Sequence, residues 1–148
     1  MEQKLYARVG RSFRPIPNYV GMYWDGEDWT KERTKNSIAR CYNQEGTVLH
    51  MFCLWKKQVI NWYEAVKEAS SCGGYLPSPA QAALAVERCE ELHEDNDWYW
   101  TRDGYRSNNA WYWYWSSFRS FTFFDYFNKS LDGRRLYARI FFDTTIKL

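Results

Sequence analysis

The sequence predicts an α+β domain: two helices packed beside antiparallel sheets, following a short irregular N-terminal extension. Three observations predict it. Strand-like segments run up to residue 55, helical spacing takes over between 61 and 92, and alternation returns after 97. Gly73-Gly74 and Ser78-Pro79 punctuate the helical stretch as helix ends do. The 148 residues suffice for one domain with its own core, without a disulfide or metal to hold it.

Residues 1–35 read as the N-terminal extension with the first strands, and 36–148 as the main domain. Lys4 to Val9 is a short strand candidate, Pro15 and Pro17 break the next stretch, and Tyr23-Trp24-Asp25-Gly26 reads as a strand entering a turn. Ser37 to Tyr42 alternates. Val48 to Trp55 is a short apolar run between Gly46 and Lys56-Lys57, the pattern of a buried strand.

The period then changes. Trp62, Ala65, Val66 and Ala69 form one helical stripe, with Asn61 as N-cap and Glu64 completing a capping box. Gly73-Gly74 ends this helix. Ser78 caps a second helix with Pro79 at its first position, and Ala82, Ala83, Val86 and Cys89 recur at helical spacing to about Leu92. Glu87, Glu90, Glu91, Glu94 and Asp95 read as its solvated face. After Asp97 come strands at Trp98 to Thr101, Ala110 to Ser116, Phe121 to Phe127 and Leu136 to Phe142, the last preceded by a turn signal at Asp132-Gly133.

Net charge is +2, from 20 basic and 18 acidic residues, too balanced to make nucleic acid the expected partner. No apolar run reaches membrane-spanning length. The first residues, MEQKLYARVGRSFRPIPNY, hold no apolar signal region, so a cytoplasmic product is expected, or one carried in a phage particle or exported by another route. Cys41, Cys53, Cys72 and Cys89 form no CxxC, and His50 and His93 lie in no HxxxH or HExxH context. No metal or other cofactor is expected. The cysteines read as buried thiols, Cys72 and Cys89 as helix core. No feature assigns an oligomeric state.

Residues 98–127 carry the functional signal. This stretch holds half of the chain's aromatics, and its only aliphatic residue is Ala110. A packed core mixes rings with branched aliphatics that fill the gaps between them. Burial therefore accounts for part of the segment, and a contact surface for the rest. Alternation places Trp111, Trp113 and Trp115 on one buried face and Tyr112 and Tyr114 on the other, which is either covered by a helix or open, with an open face as the expectation. Arg102, Asp103, Tyr105, Arg106, Ser107 and Asn108 read as a polar loop at the rim. Arg119, Phe121, Phe123, Asp125, Tyr126 and Asn128 extend the surface, with either Phe121/Phe123 or Phe124/Tyr126 facing outward. Arg139 reads as structural, stacked on a ring or paired with a carboxylate.

The run NWYEAVKEASSCGGYLPSPAQ resembles the two-helix signature of bacterial C-type-lectin-fold domains. Later elements come in the matching order: YW at 99–100, SNNAW at 107–111, WSS at 115–117 and YARIFF at 137–142. The resemblance spans somewhat more than half the chain and implies the C-type lectin fold. The Glu-Pro-Asn or Gln-Pro-Asp and Trp-Asn-Asp motifs of calcium-dependent lectins are missing. So are the C-terminal cysteines of formylglycine-generating enzymes. The restricted residue alphabet of 98–128 and the tail LDGRRLYARIFF are most similar to the variable proteins of diversity-generating retroelements. That likeness implies a hypervariable binding segment on a lectin-like scaffold.

The reading is a non-catalytic binding module that engages a protein ligand, or a glycan, through Arg102, Asp103, Tyr105, Arg106, Asn108, Tyr112, Tyr114, Arg119, Phe121, Phe123, Asp125, Tyr126 and Asn128. One alternative is a carbohydrate-active enzyme using Asp103 and Asp125 as a carboxylate pair. Another is a single-stranded nucleic-acid binder with Arg102, Arg106 and Arg119 on phosphates.

Overall fold

The computed structural model describes residues 6–94, 97–131 and 136–147. Within them the chain is α+β, with two helices and mostly antiparallel sheets. The first strands, β1 (Tyr6–Val9) and β2 (Ser12–Pro15), form a separate hairpin. Strands β3 (Tyr23–Trp24), β4 (Trp29–Thr30), β5 (Ala39–Glu45) and β6 (Val48–Cys53) come next, then the short β7 (Lys57–Gln58). Helices α1 (Trp62–Ser71) and α2 (Pro79–Arg88) succeed them. Strands β8 (Trp98–Tyr105), β9 (Asn109–Ser116), β10 (Phe121–Asn128), β11 (Leu136–Ala138) and β12 (Phe141–Thr145) close the chain.

Two five-stranded sheets result. One has the order β10-β9-β8-β11-β7, the other β12-β6-β5-β3-β4. Residues 23–30 thus join the main fold, because β3 pairs with β5. All pairings are antiparallel except β11 with β8, where Leu136 lies beside Trp98.

The helices form where the sequence caps them. Asn61 Oδ1 accepts the Glu64 N–H at 3.0 Å. The Glu64 carboxylate, however, accepts from Ile60 N–H at 3.1 Å, one residue ahead of the expected capping-box donor. Ala65 and Ala69 of α1 are buried, while Val66, expected in the same stripe, is 38% exposed at its rim. The helix ends in a Schellman turn. Gly73 N–H donates to Ser70 and Gly74 N–H to Ala69, with Gly73 at φ +74°. Gly74 admits no side chain, since a Cβ there would stand 2.5 Å from the Phe141 carbonyl oxygen. That close approach lets Tyr75 exchange two backbone hydrogen bonds with Phe141. Ser78 and Gln81 form a complete capping box on α2.

Three expectations need correction. The α2 helix stops at Arg88, Cys89 is extended, and Glu90–Leu92 forms a separate 3₁₀ turn. Its acidic face is not uniformly solvated. Glu91 accepts from the Tyr23 hydroxyl and pairs with Arg40, and Glu94 pairs with Lys56 and Arg139. Asp95 lies outside the described residues. Cys72 is exposed at the C-cap of α1, whereas Cys89 and Cys41 are buried and Cys53 is half-buried. Burial pushes the Cys41, Cys53 and Cys89 thiols up to about 11.

The expected strand from Leu136 to Phe142 is two strands in two sheets, with Arg139 and Ile140 at the crossing. Arg139 is the reason for the break. Its buried guanidinium donates to the carbonyls of Cys53 and Leu54 at 3.2 and 2.8 Å. It also reaches Glu94 at 3.3 Å and lies 5.2 Å from the centre of the Tyr99 ring. Arg139 is structural, stacking and pairing at once. The turn signal Asp132-Gly133 falls outside the described residues.

The core has three parts. Ala82, Ala85 and Val86 of α2 pack between the sheets against Tyr42, Phe52, Tyr99, Trp113 and Phe141. Ala65 and Ala69 of α1 cover the other face of the β8–β9 sheet, on Trp100, Ala110, Tyr112 and Leu136. Ala39, Cys41, Leu49 and Met51 close the far side of the second sheet beneath Trp24, Trp29 and Phe142.

Candidate functional site

The aromatic segment folds as the meander β8–β9–β10, which ends in an open edge at β10. Its register assigns the faces. Tyr99, Trp113 and Phe124 lie side by side facing α2. Trp98, Tyr114 and Phe123 do so on the α1 face, as do Trp100, Tyr112 and Asp125. The centre of the sheet is therefore covered on both sides. Tyr99 and Trp113 stack at 4.4 Å between centroids, and both are fully buried.

Tyr112, expected on an open face, is only 9% exposed, because α1 and the rings of Trp98 and Trp100 cover it. Burial, chiefly, raises its hydroxyl above the ordinary value. Tyr114 is half-buried and stacks on Phe123 at 5.4 Å. Trp111 and Trp115, expected in the core, are only half-buried.

Surface rings collect at the two ends of β9. At the β8–β9 turn, Tyr105 packs on Trp111 at 4.9 Å and on Tyr126 at 4.4 Å, and Trp111 meets Tyr126 edge-on at 5.7 Å. Tyr126 is 47% exposed. The Arg106 guanidinium sits 5.4 Å from the Tyr105 ring centre, on a backbone held at φ +56°. Arg102 and Asp103 stand beside this cluster as an exposed pair 3.5 Å apart, and Asn108 is exposed in the turn. Arg102, Asp103 and Tyr105 thus belong to β8, not to a loop. A β-bulge between Trp100 and Gly104 carries the strand on through them.

At the β9–β10 turn, Phe118 is 93% and Phe121 59% exposed. Phe121 and Phe123 meet edge-on at 5.2 Å, and the Arg119 guanidinium lies 5.8 Å from the Phe123 ring centre. An apolar cleft of about 700 Å³ opens beside these rings, lined by Ala83, Val86, His93, Trp115, Phe121 and Phe124 among others. His93 stacks on Trp115 at 3.9 Å and 7°, and its Nε2–H donates to the Val86 carbonyl at 2.7 Å. The outward pair is neither Phe121/Phe123 nor Phe124/Tyr126. Phe121 is exposed at one end of β10 and Tyr126 at the other, while Phe123 and Phe124 are half-buried. Asn128 accepts from the Ser130 N–H and hydroxyl, both at 2.9 Å, and so shapes the turn after β10.

Asp103 and Asp125 lie on strands separated by β9. Asp103 faces Arg102, and Asp125 accepts the Tyr126 N–H at 2.8 Å. Among the described residues no group of three or more His, Cys, Asp or Glu side chains is placed to hold a metal. No helix among them is long and apolar enough to cross a membrane.

His93 and Phe118 are surface features that the sequence alone did not single out, and Trp115 is one that it placed in the core. Phe118 has a local signal, a large ring between Ser117 and Arg119 in a turn. His93 has none, because its stacking partner lies 22 positions away on another element. Comparison with protein-family models, curated proteins and solved structures finds no match.

Proposed function

We propose that this chain is a non-catalytic ligand-binding domain with a C-type-lectin-like frame, whose β8–β9 end engages a protein ligand. One observation carries the reading: Tyr105, Trp111 and Tyr126 pack on one another, with Tyr126 open to solvent and Arg102, Asp103, Arg106 and Asn108 exposed around them. Rigid rings rimmed by arginine combine large apolar area with directional polar contacts, the composition of binding hot spots. The two helices joined through Gly-Gly and Leu-Pro-Ser, with the aromatic meander after them, support the lectin-like frame. The likeness to retroelement variable proteins makes 98–128 the segment expected to differ between copies.

The test is capture of protein ligands by the immobilised domain, repeated with Tyr105→Ala and Arg106→Ala. Both variants are expected to stay folded and to lose captured protein by about tenfold or more, the loss typical of a hot-spot truncation. An unchanged captured set with both variants would refute the reading. Binding to a glycan array, abolished by the same variants, would move the ligand class from protein to sugar. A neighbouring reverse-transcriptase gene, with a near-copy of the DNA for 98–142 differing at adenines, would establish diversification.

A further inference from the structure

We infer that β10 is a pairing edge, and that its occupant is β10 of a second copy of this chain, joined antiparallel about a two-fold axis at Phe124. This goes beyond the ligand reading and does not rest on it.

The strand lies at the end of its sheet, and its eight residues pair with β9 without a register break. The phase of its hydrogen bonds is set by two contacts. Lys129 N–H donates to the Asn108 carbonyl at 2.8 Å, so the odd-numbered residues of β10 turn their backbone groups toward β9. The Tyr126 N–H, which must then point outward, does so and meets its neighbour's Asp125 carboxylate at 2.8 Å. Thr122 and Phe124 accordingly present N–H and C=O to the open side, and among the described residues nothing bonds their N–H groups. Isolated edge strands are usually blunted by proline, lysine, a bulge or a covering segment. Strand β10 has no proline, no lysine and no bulge, and Asp125 is its only charge.

Self-pairing suits this edge for a reason of charge. With Phe124 opposite Phe124 of the second copy, Phe121 faces Phe127, Thr122 faces Tyr126 and Phe123 faces Asp125. The Arg119 guanidinium already sits over the Phe123 ring, 5.8 Å from its centre. It therefore comes beside Asp125 of the second copy, and the two-fold repeats the contact. Arg119 and Asp125 are both exposed, and among the described residues neither is ion-paired within its own chain. Asp125 would exchange the Tyr126 N–H for Arg119 and free that donor for the new ladder. Two isologous charge pairs, backbone hydrogen bonds and facing rings together define a closed dimer.

Sedimentation equilibrium of the full chain over a wide concentration range tests this. The wild type is expected to approach twice the single-chain mass of 17.9 kDa. Arg119→Asp and Asp125→Arg each place like charges at both contacts, so each alone should dimerise about tenfold or more weakly. Their equimolar mixture should regain the dimer, because each contact again joins opposite charges. Thr122→Pro removes an outward N–H, leaves the β9 ladder intact, and should give a folded monomer by circular dichroism. A monomeric wild type, a mixture no heavier than its two components, or Thr122→Pro dimerising as well as the wild type would each overturn the proposal. A wild type that stays monomeric but binds an extended peptide along β10 would also overturn it, in favour of a foreign strand.

Discussion

Strands β9 and β10 are neighbours of equal length and equal aromatic content, yet their rings have different fates. In β9, NAWYWYWS, Tyr112 and Trp113 are buried, one beneath each helix, because strands lie on both sides and helices on both faces. In β10, FTFFDYFN, Phe121 and Tyr126 are exposed, because the strand has a neighbour on one side only. Position within the sheet, not ring content, therefore decides whether an aromatic stabilises the domain or is left for contact. The same contrast divides the surface in two. The Tyr105–Trp111 end is the proposed ligand site, the β10 edge is the proposed seam with a second copy, and Tyr126 borders both.

The most severe test of this contrast is truncation on each strand. Trp113→Ala removes a fully buried indole stacked on Tyr99 and should cost about 3–5 kcal/mol. Phe121→Ala removes a ring that is 59% exposed and should change monomer stability by about 0.5 kcal/mol or less. Urea denaturation of both variants measures the gap. Equal losses would show that β10 is as deeply packed as β9.

Acid probes the same contrast from the β9 side. Trp113 leans on Tyr99, and Tyr99 is held by Glu94 and Arg139. Burial raises the Glu94 carboxyl, but the Lys56 hydrogen bond, the Arg139 charge and the Tyr99 hydroxyl outweigh it and hold the group below its ordinary 4.5. A carboxyl depressed in the folded state contributes stability that is complete above its unfolded value and is lost as pH falls through the folded one. The domain should therefore weaken on acidification below pH 4.5, and Glu94→Gln should flatten that slope. At neutral pH Glu94→Gln should cost about 1–2 kcal/mol, since Arg139 stays buried with one acceptor weakened. Denaturant midpoints across pH give both values. A slope the variant leaves unchanged would place the acid-labile contact elsewhere.

What the sequence made legible is what local chemistry determines. The caps at Asn61 and Ser78, the Gly73 stop, the start of β8 and the strands β9 and β10 stand where their residues indicate. The rest depends on partners far away in sequence. Leu136 to Phe142 alternates without interruption, yet Arg139 finds carbonyls and a carboxylate that pull the chain from one sheet into the other. Glu91 and Glu94 look like surface acids until Arg40 and Lys56 arrive from β5 and the segment after β6. Tyr112 looks open because period-two alternation names two faces without saying that α1 covers the second. Arg102 and Asp103 look like a loop because a β-bulge hides their strand from the pattern.

The smallest effect concerns the two turns that bound β9, each with a non-glycine residue in the left-handed region: Arg106 at φ +56° and Ser120 at φ +48°. That conformation costs an L-residue about 1–2 kcal/mol, and glycine adopts it freely. Glycine also gives the unfolded chain more freedom, which offsets about 0.5–1 kcal/mol of the relief. Each glycine substitution should therefore stabilise by about 0.5 kcal/mol, or raise the melting temperature by roughly 1–2 °C. The backbone benefit is the same at both turns, so function is what separates them. Ser120 is exposed in the β9–β10 turn, and Ser120→Gly should leave ligand capture unchanged. Arg106 lays its guanidinium on Tyr105, so Arg106→Gly should gain the same stability and lose ligand capture. Melting curves and capture on the same two variants read both quantities. If both variants keep the ligand, the β8–β9 end is a strained turn of no greater consequence than its counterpart.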